Sequence, residues 1–71
     1  MLTNLEKVRK EKEVTLNQIG RLLGVRYQTV SEKIKGSTTF GFDEALLVKD
    51  TFFPEYDLIY LFSTNPDSVN N

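Results

Sequence analysis

Apolar residues recur along this chain three and four positions apart, the spacing that lines one face of a helix. Leu5 and Val8 open the series. Thr3-Asn4-Leu5-Glu6 reads as a capping box ahead of them, so a first helix is predicted from about Asn4 to Lys12. Thr15 suits the N-cap of a second helix, in which Ile19, Leu22 and Leu23 keep helical spacing and which ends near Leu23. Gly24 follows as a residue able to take the left-handed conformation of a tight turn. A third helix begins at Arg26 or Tyr27, buries Val30 and Ile34 four apart, and is closed by Gly36. Ser37 to Gly41 is a polar loop whose one aromatic, Phe40, is expected to tuck into the core. Phe42 to about Phe52 forms a fourth helix with Ala45, Leu46, Val48 and Phe52 as candidates for burial, and Pro54 marks the next break. Leu58, Ile59, Leu61 and Phe62 suggest a short fifth helix. No stretch alternates with the period of a strand, and there is no repeat. The predicted fold is all-α, a compact bundle of five short helices forming one domain over residues 1–63, with a flexible tail over 64–71.

Composition narrows what such a bundle does. The 71 residues suffice for one small domain, and the chain has neither cysteine nor histidine. Disulfides and thiolate metal sites are excluded, and so are the commonest general base and the commonest zinc ligand. Ser31 and Thr29 have no histidine to activate them, and no two carboxylates stand at a recognisable catalytic spacing, so an enzyme is not expected. No apolar run reaches the roughly 18 residues needed to span a membrane. The charged start MLTNLEKVRKEKE does not read as a secretion signal, which makes the cytosol the expected location. Neither cofactor nor membrane contact is expected.

The net charge of −1 hides an asymmetry. Residues 1–36 hold eight Lys/Arg against four acids, for +4. Residues 37–71 hold Lys49 alone against Asp43, Glu44, Asp50, Glu55, Asp57 and Asp67, for −5. One half can face phosphate and the other cannot. Seven of the eight aromatics lie at or after Phe40, and those near the C-terminus serve either the core or a dimer face.

The segment Thr15–Gly36, TLNQIGRLLGVRYQTVSEKIKG, carries the functional signal. Gly20 costs roughly 1 kcal/mol inside a helix relative to alanine, and close packing of two helices is the natural reason for it. Gly24 makes the turn. Ile19, Leu23, Val25 and Val30 have the spacing to pin two helices to a core. A further apolar anchor is expected at Lys33 but stands at Ile34.

With LEKVRKEK before it, the stretch Val14–Gly36 resembles the helix-turn-helix of Cro and repressor-type regulators of temperate phages, grouped with the xenobiotic-response-element regulators. In helix order the likeness extends over most of residues 4–62, and it is specific in the central segment. The whole chain, including FFPEYDLIYLF, is similar to small regulators encoded beside the repressor in phages of low-GC Gram-positive bacteria, in particular the antirepressor type of lactococcal phages. The resemblance implies a lambda-repressor-like DNA-binding domain that regulates the choice between lysis and lysogeny.

It further implies that Arg26, Tyr27, Gln28, Ser31 and Glu32 face the bases of double-stranded operator DNA, or a protein partner. Arginine can grip guanine and glutamine adenine with two bonds each, whereas a glutamate can only accept from cytosine. Thr15 and Asn17 stand at a helix start that meets phosphate. Lys33, Lys35, Ser37, Thr38 and Thr39 follow the recognition helix where other phosphates lie. Three positions depart from the family. Leu16 replaces a glutamine and loses a contact to DNA. Glu13 replaces a glycine between the first two helices, at a cost on the order of 1 kcal/mol if the backbone there is left-handed. Ile34 replaces a glutamate that pairs with the arginine matching Arg9, so Arg9 must find another partner or stay solvated.

Two roles follow. In one, the chain binds operator DNA as a Cro-like homodimer across two half-sites. In the other, it binds the phage repressor protein and acts as an antirepressor, or as an antitoxin-like partner, with its acidic half against a basic face.

Overall fold

The computed structural model describes residues 1–64 and holds five helices in one bundle, with no strand among those residues. They are α1 (Thr3–Glu11), α2 (Leu16–Leu23), α3 (Tyr27–Lys35), α4 (Phe42–Phe52) and α5 (Leu58–Leu61). The expected all-α bundle of five short helices is therefore present. Except for Thr64, the tail expected over 64–71 lies outside the described residues. No helix of the described residues is long and apolar enough to cross a membrane.

The core is built from every element. Leu5, Val8, Ile19, Val30, Val48, Phe53 and Leu61 are fully or almost fully buried, joined by Leu2, Val14, Ile34 and Ala45. Leu22, Leu23, Val25, Phe40, Phe52, Tyr56, Tyr60 and Phe62 pack half-buried around them. Phe40 does tuck back, meeting Phe62 edge to face at 5.2 Å between ring centres. One expected core residue, Leu46, is partly exposed instead, and Ile59, one of the apolar residues that suggest the fifth helix, is 73 % exposed. Phe53, which the periodicity passes over, is fully buried. The reason is local. α4 ends at Phe52, the backbone of Phe53 leaves the helical conformation, and the chain turn aims its ring inward. In the single turn of α5, Leu61 takes the inward position and Ile59 is left facing out.

The capping box expected at Thr3 and Glu6 does not form. α1 starts one residue earlier, with Leu2 at its N-cap. Leu2 is held there because its side chain is in the core and its N–H donates to the Ile34 carbonyl on α3 at 2.8 Å. Glu6 turns instead to Arg9, accepting from Nε at 2.7 Å and Nη2 at 3.0 Å, and to Lys10 at 3.3 Å. A two-pronged, charge-assisted pair outweighs one bond to a neutral backbone N–H. Arg9, whose partner the sequence leaves open, thus holds Glu6 and also the Val14 carbonyl at 3.3 Å. In doing so it fastens the end of α1 to the chain entering α2.

That entry passes through Glu13, whose φ of 57° is left-handed. It is the one residue other than glycine with positive φ among the described residues. Thr15 then caps α2, accepting from the Gln18 N–H at 3.1 Å, while the Gln18 side chain accepts from the Thr15 N–H at 2.7 Å. Gln18, unassigned from sequence, completes the capping box that Thr15 begins. Asn4 and Asp57 fix α5: Asn4 Nδ2 donates to the Tyr60 carbonyl at 2.9 Å, and the Asp57 side chain accepts from the Tyr60 N–H at 3.1 Å.

Two stability predictions follow. Glu13→Gly relieves the left-handed backbone, so the melting temperature should rise by ~4–8 °C, corresponding to about 1 kcal/mol. A fall in the thermal unfolding midpoint would refute the strain at this residue. The second concerns pH. Burial by itself raises the Glu6 carboxyl, but the hydrogen bonds and charges of Arg9 and Lys10 together outweigh it and hold it below its ordinary 4.5. Glu44 is also held down, chiefly by the Gly41 N–H and further by Lys33, against a smaller opposing effect of burial. A carboxyl whose pKa is lower folded than unfolded stabilises the fold above the unfolded value. That contribution is lost as pH falls through the folded value. Stability should thus decline on acidification from 4.5 downward, and the decline should be shallower in Glu6→Gln. Chemical denaturation at a series of acidic pH values checks this, and identical pH profiles would remove Glu6 from the account.

Candidate nucleic-acid interface

The α2–turn–α3 unit depends on Gly20. A Cβ at this position would stand 2.6 Å from the Val25 carbonyl oxygen, far inside contact distance. The sequence places Gly20 where two helices touch. The structure shows that what touches it is backbone, from Val25 to Tyr27 in the turn, with the Val25 N–H donating to the Gly20 carbonyl at 2.9 Å. Gly24, at φ 74°, ends α2 in the expected left-handed conformation, and Gly36, at φ 100°, ends α3 the same way.

α3 buries Val30 and Ile34 and turns its opposite side outward. Gln28, Ser31, Glu32 and Lys35 follow one another at helical spacing along that side. Gln28, Glu32 and Lys35 are exposed and Ser31 is half-buried at the edge. Tyr27, 49 % exposed, and Arg26, also exposed, stand at the helix start. Arg26 is the N-cap residue, and its side chain makes no capping bond. The five side chains expected to read bases or a partner are therefore brought onto one end and one face of α3. They comprise one cation, one anion, an amide, a hydroxyl and a phenol, a set suited to hydrogen-bonded recognition of a polar surface.

The expected phosphate contacts divide. Asn17, Lys35, Ser37, Thr38 and Thr39 are exposed. The Thr15 hydroxyl is engaged in capping α2. Leu16 is half-buried against the core, where an apolar side chain fits. Lys33 does not reach outward. Its Nζ donates to the Thr39 carbonyl at 2.9 Å and pairs with Glu44 at 3.3 Å, its side chain only 13 % exposed and lying over the Phe40 ring. It stands on the side of α3 that faces α4, where an apolar anchor is expected. There its stem packs and its charge finds a carboxylate. Lys33 is a strut between α3, the following loop and α4.

Ion pairs sort the remaining charges. Glu6 takes Arg9 and Lys10, Lys12 takes Glu55, Lys33 takes Glu44, and Lys49 lies 3.9 Å from Asp50. Lys12 also donates to the Phe52 carbonyl at 3.2 Å, tying the end of α1 to the end of α4. Among the described residues this leaves Lys7, Arg21, Arg26 and Lys35 outside any pair. Three of these four belong to α2, α3 and their turn. Arg21 was not among the expected contacts. It lies one helical turn after Asn17 on the exposed side of α2, and that spacing is the signal that finds it. Among the described residues no group of three His, Cys, Asp or Glu side chains is placed to hold a metal ion.

No family model matches this chain, and no curated protein or solved structure matches it.

Proposed function

We propose that the chain is a helix-turn-helix regulator of transcription, of the Cro and antirepressor kind found in phage lysis–lysogeny switches. It docks α3 in the major groove of operator DNA and acts chiefly in complex with the phage repressor. The observation that carries this reading is the retention of unpaired charge on one unit. Arg21, Arg26 and Lys35 stay free on α2–turn–α3, while most other cations of the described chain are paired internally. Arg26 and Gln28 at the exposed start of α3 supply the two side chains best suited to guanine and adenine edges. Three free cations are few for a DNA binder. At roughly −0.9 per phosphate, three contacts give a log–log salt slope of about −3. Such binding is weak alone and is strengthened by a second DNA-binding protein.

Direct titration tests the DNA half. The isolated protein should shift operator DNA in a gel only at low salt, with that slope. Gln28→Ala should cost about 1–3 kcal/mol at one base position and relax the preference there. An unchanged operator preference in Gln28→Ala would count against base reading by α3.

A second reading, that contact with the repressor is the main activity and DNA is secondary, is favoured by the acidic half. Asp43, Asp50, Glu55 and Asp57 are all exposed. Mixing the protein with the phage repressor proposed as its partner, with and without operator DNA, separates the two. A stable complex that releases DNA supports the second reading. DNA binding by this chain alone, with no complex, sinks it.

A further inference from the structure

α4 turns its inner side, Ala45 and Val48, into the core. On its outer side Phe42 is 71 % exposed, Leu46 37 % and Leu47 44 %. Helical spacing sets Phe42, Leu46 and Asp50 along one ridge and Asp43 and Leu47 along the next. The other large apolar side chains that are exposed stand singly: Met1 ahead of α1, Tyr27 on α3 and Ile59 on α5. Scattered exposed apolar residues are ordinary, but three on two adjacent ridges of one helix are not. The charges on this face are carboxylates. The one lysine of the helix, Lys49, is half-buried, donates to the Pro54 carbonyl at 3.1 Å, lies 3.9 Å from the largely exposed Asp50 and is out of reach of Asp43. The face is apolar with a negative border.

That combination selects its occupant. A second copy paired by a two-fold axis would set Asp43 and Asp50 against the same carboxylates of its partner, which repel. Nucleic acid and anionic lipid are repelled as well. A protein surface carrying aliphatic side chains flanked by Lys or Arg fits. Its apolar groups cover Phe42, Leu46 and Leu47, the stems of its basic residues extend that cover, and their charges meet Asp43 and Asp50. We propose that the outward face of α4 is the surface with which this protein grips a basic, amphipathic protein partner. The inference deepens the functional reading, because a DNA-binding repressor presents such a basic surface. It places the grip on α4, away from α3.

The full chain, labelled with ¹⁵N, is titrated with a designed amphipathic helix of about five turns bearing leucine on one face and lysine on its borders. A second peptide carries glutamate in place of the lysines. The basic peptide should shift amide signals of residues 42–51 and the acidic one should not. Asp43→Lys with Asp50→Lys should weaken the basic peptide at least ~10-fold and admit the acidic one. Both positions are exposed, and an unchanged melting temperature confirms folding. Leu47→Ser, also at an exposed position, should weaken the basic peptide in the otherwise wild-type chain and the acidic peptide in the charge-reversed protein. The proposal is overturned by no binding of the basic peptide, by shifts centred on α3, or by equal affinity in the charge-reversed protein. It is overturned too if sedimentation shows a wild-type dimer that Phe42→Ser dissociates. Operator binding left unchanged by Arg26→Ala and by Gln28→Ala, with peptide binding at α4 intact, marks failure of the operator reading alone.

Discussion

The approach of α2 to the start of α3 is set by one backbone contact, the Gly20 main chain lying against the Val25 carbonyl. At 2.6 Å from that oxygen there is no volume for even a methyl group, and a carbonyl in a turn cannot rotate aside as a side chain can. The contact fixes where Arg26, Tyr27 and Gln28 emerge relative to Asn17 and Arg21. The core residues then hold the pair in place: Ile19 from α2 and Val30 and Ile34 from α3 are buried among Leu5, Val8, Val48 and Leu61. The exposed face of α2 and α3 is thus positioned by backbone sterics and held by apolar packing, with no ion pair across the turn among the described residues.

Ionic groups do a different job here. Each tertiary pair ties elements distant in sequence or closes an element end. Lys12 joins the end of α1 to Glu55 and the Phe52 carbonyl, and Lys33 joins α3 to Thr39 and Glu44. Arg9, with Glu6 and the Val14 carbonyl, secures the left-handed step at Glu13. Pairs of this kind, partly shielded from water, suit a domain too small to rely on its core alone. Their consequence for function is subtraction. Every cation used as a strut is withdrawn from the surface, so the free positive charge of the α2–α3 unit is smaller than the sequence count suggests.

The two faces that remain differ in kind. The α3 side offers hydrogen-bonding groups and free cations, which suit a polar, negatively charged surface. The outer side of α4 offers three apolar side chains and carboxylates, which suit the opposite. Under the proposed function, two such faces would meet DNA and a DNA-binding protein through different elements.

The sequence by itself determined the elements. Helical spacing of Leu5, Val8, Ile19, Val30, Ile34 and Val48 and the stops at Gly24, Gly36 and Pro54 reflect local energetics: backbone freedom, capping and a 3.6-residue period act within a few neighbours. Gly20 was legible for the same reason, since a glycine inside a helix has a local cost that some close contact must offset. Of the candidate site, the exposed face of α3 was legible because burial of Val30 and Ile34 dictates which residues point away from the core. The tertiary structure decided which charges are spent and which apolar residues stay outside. Lys33 found its partners through the packing of α3 and its loop on α4, Glu6 was settled by competition between two available bonds, and Phe53 and Ile59 were assigned by where α4 and α5 end. Those outcomes depend on where elements end and on which of several available partners wins once the helices pack, and periodicity along the chain does not carry that information.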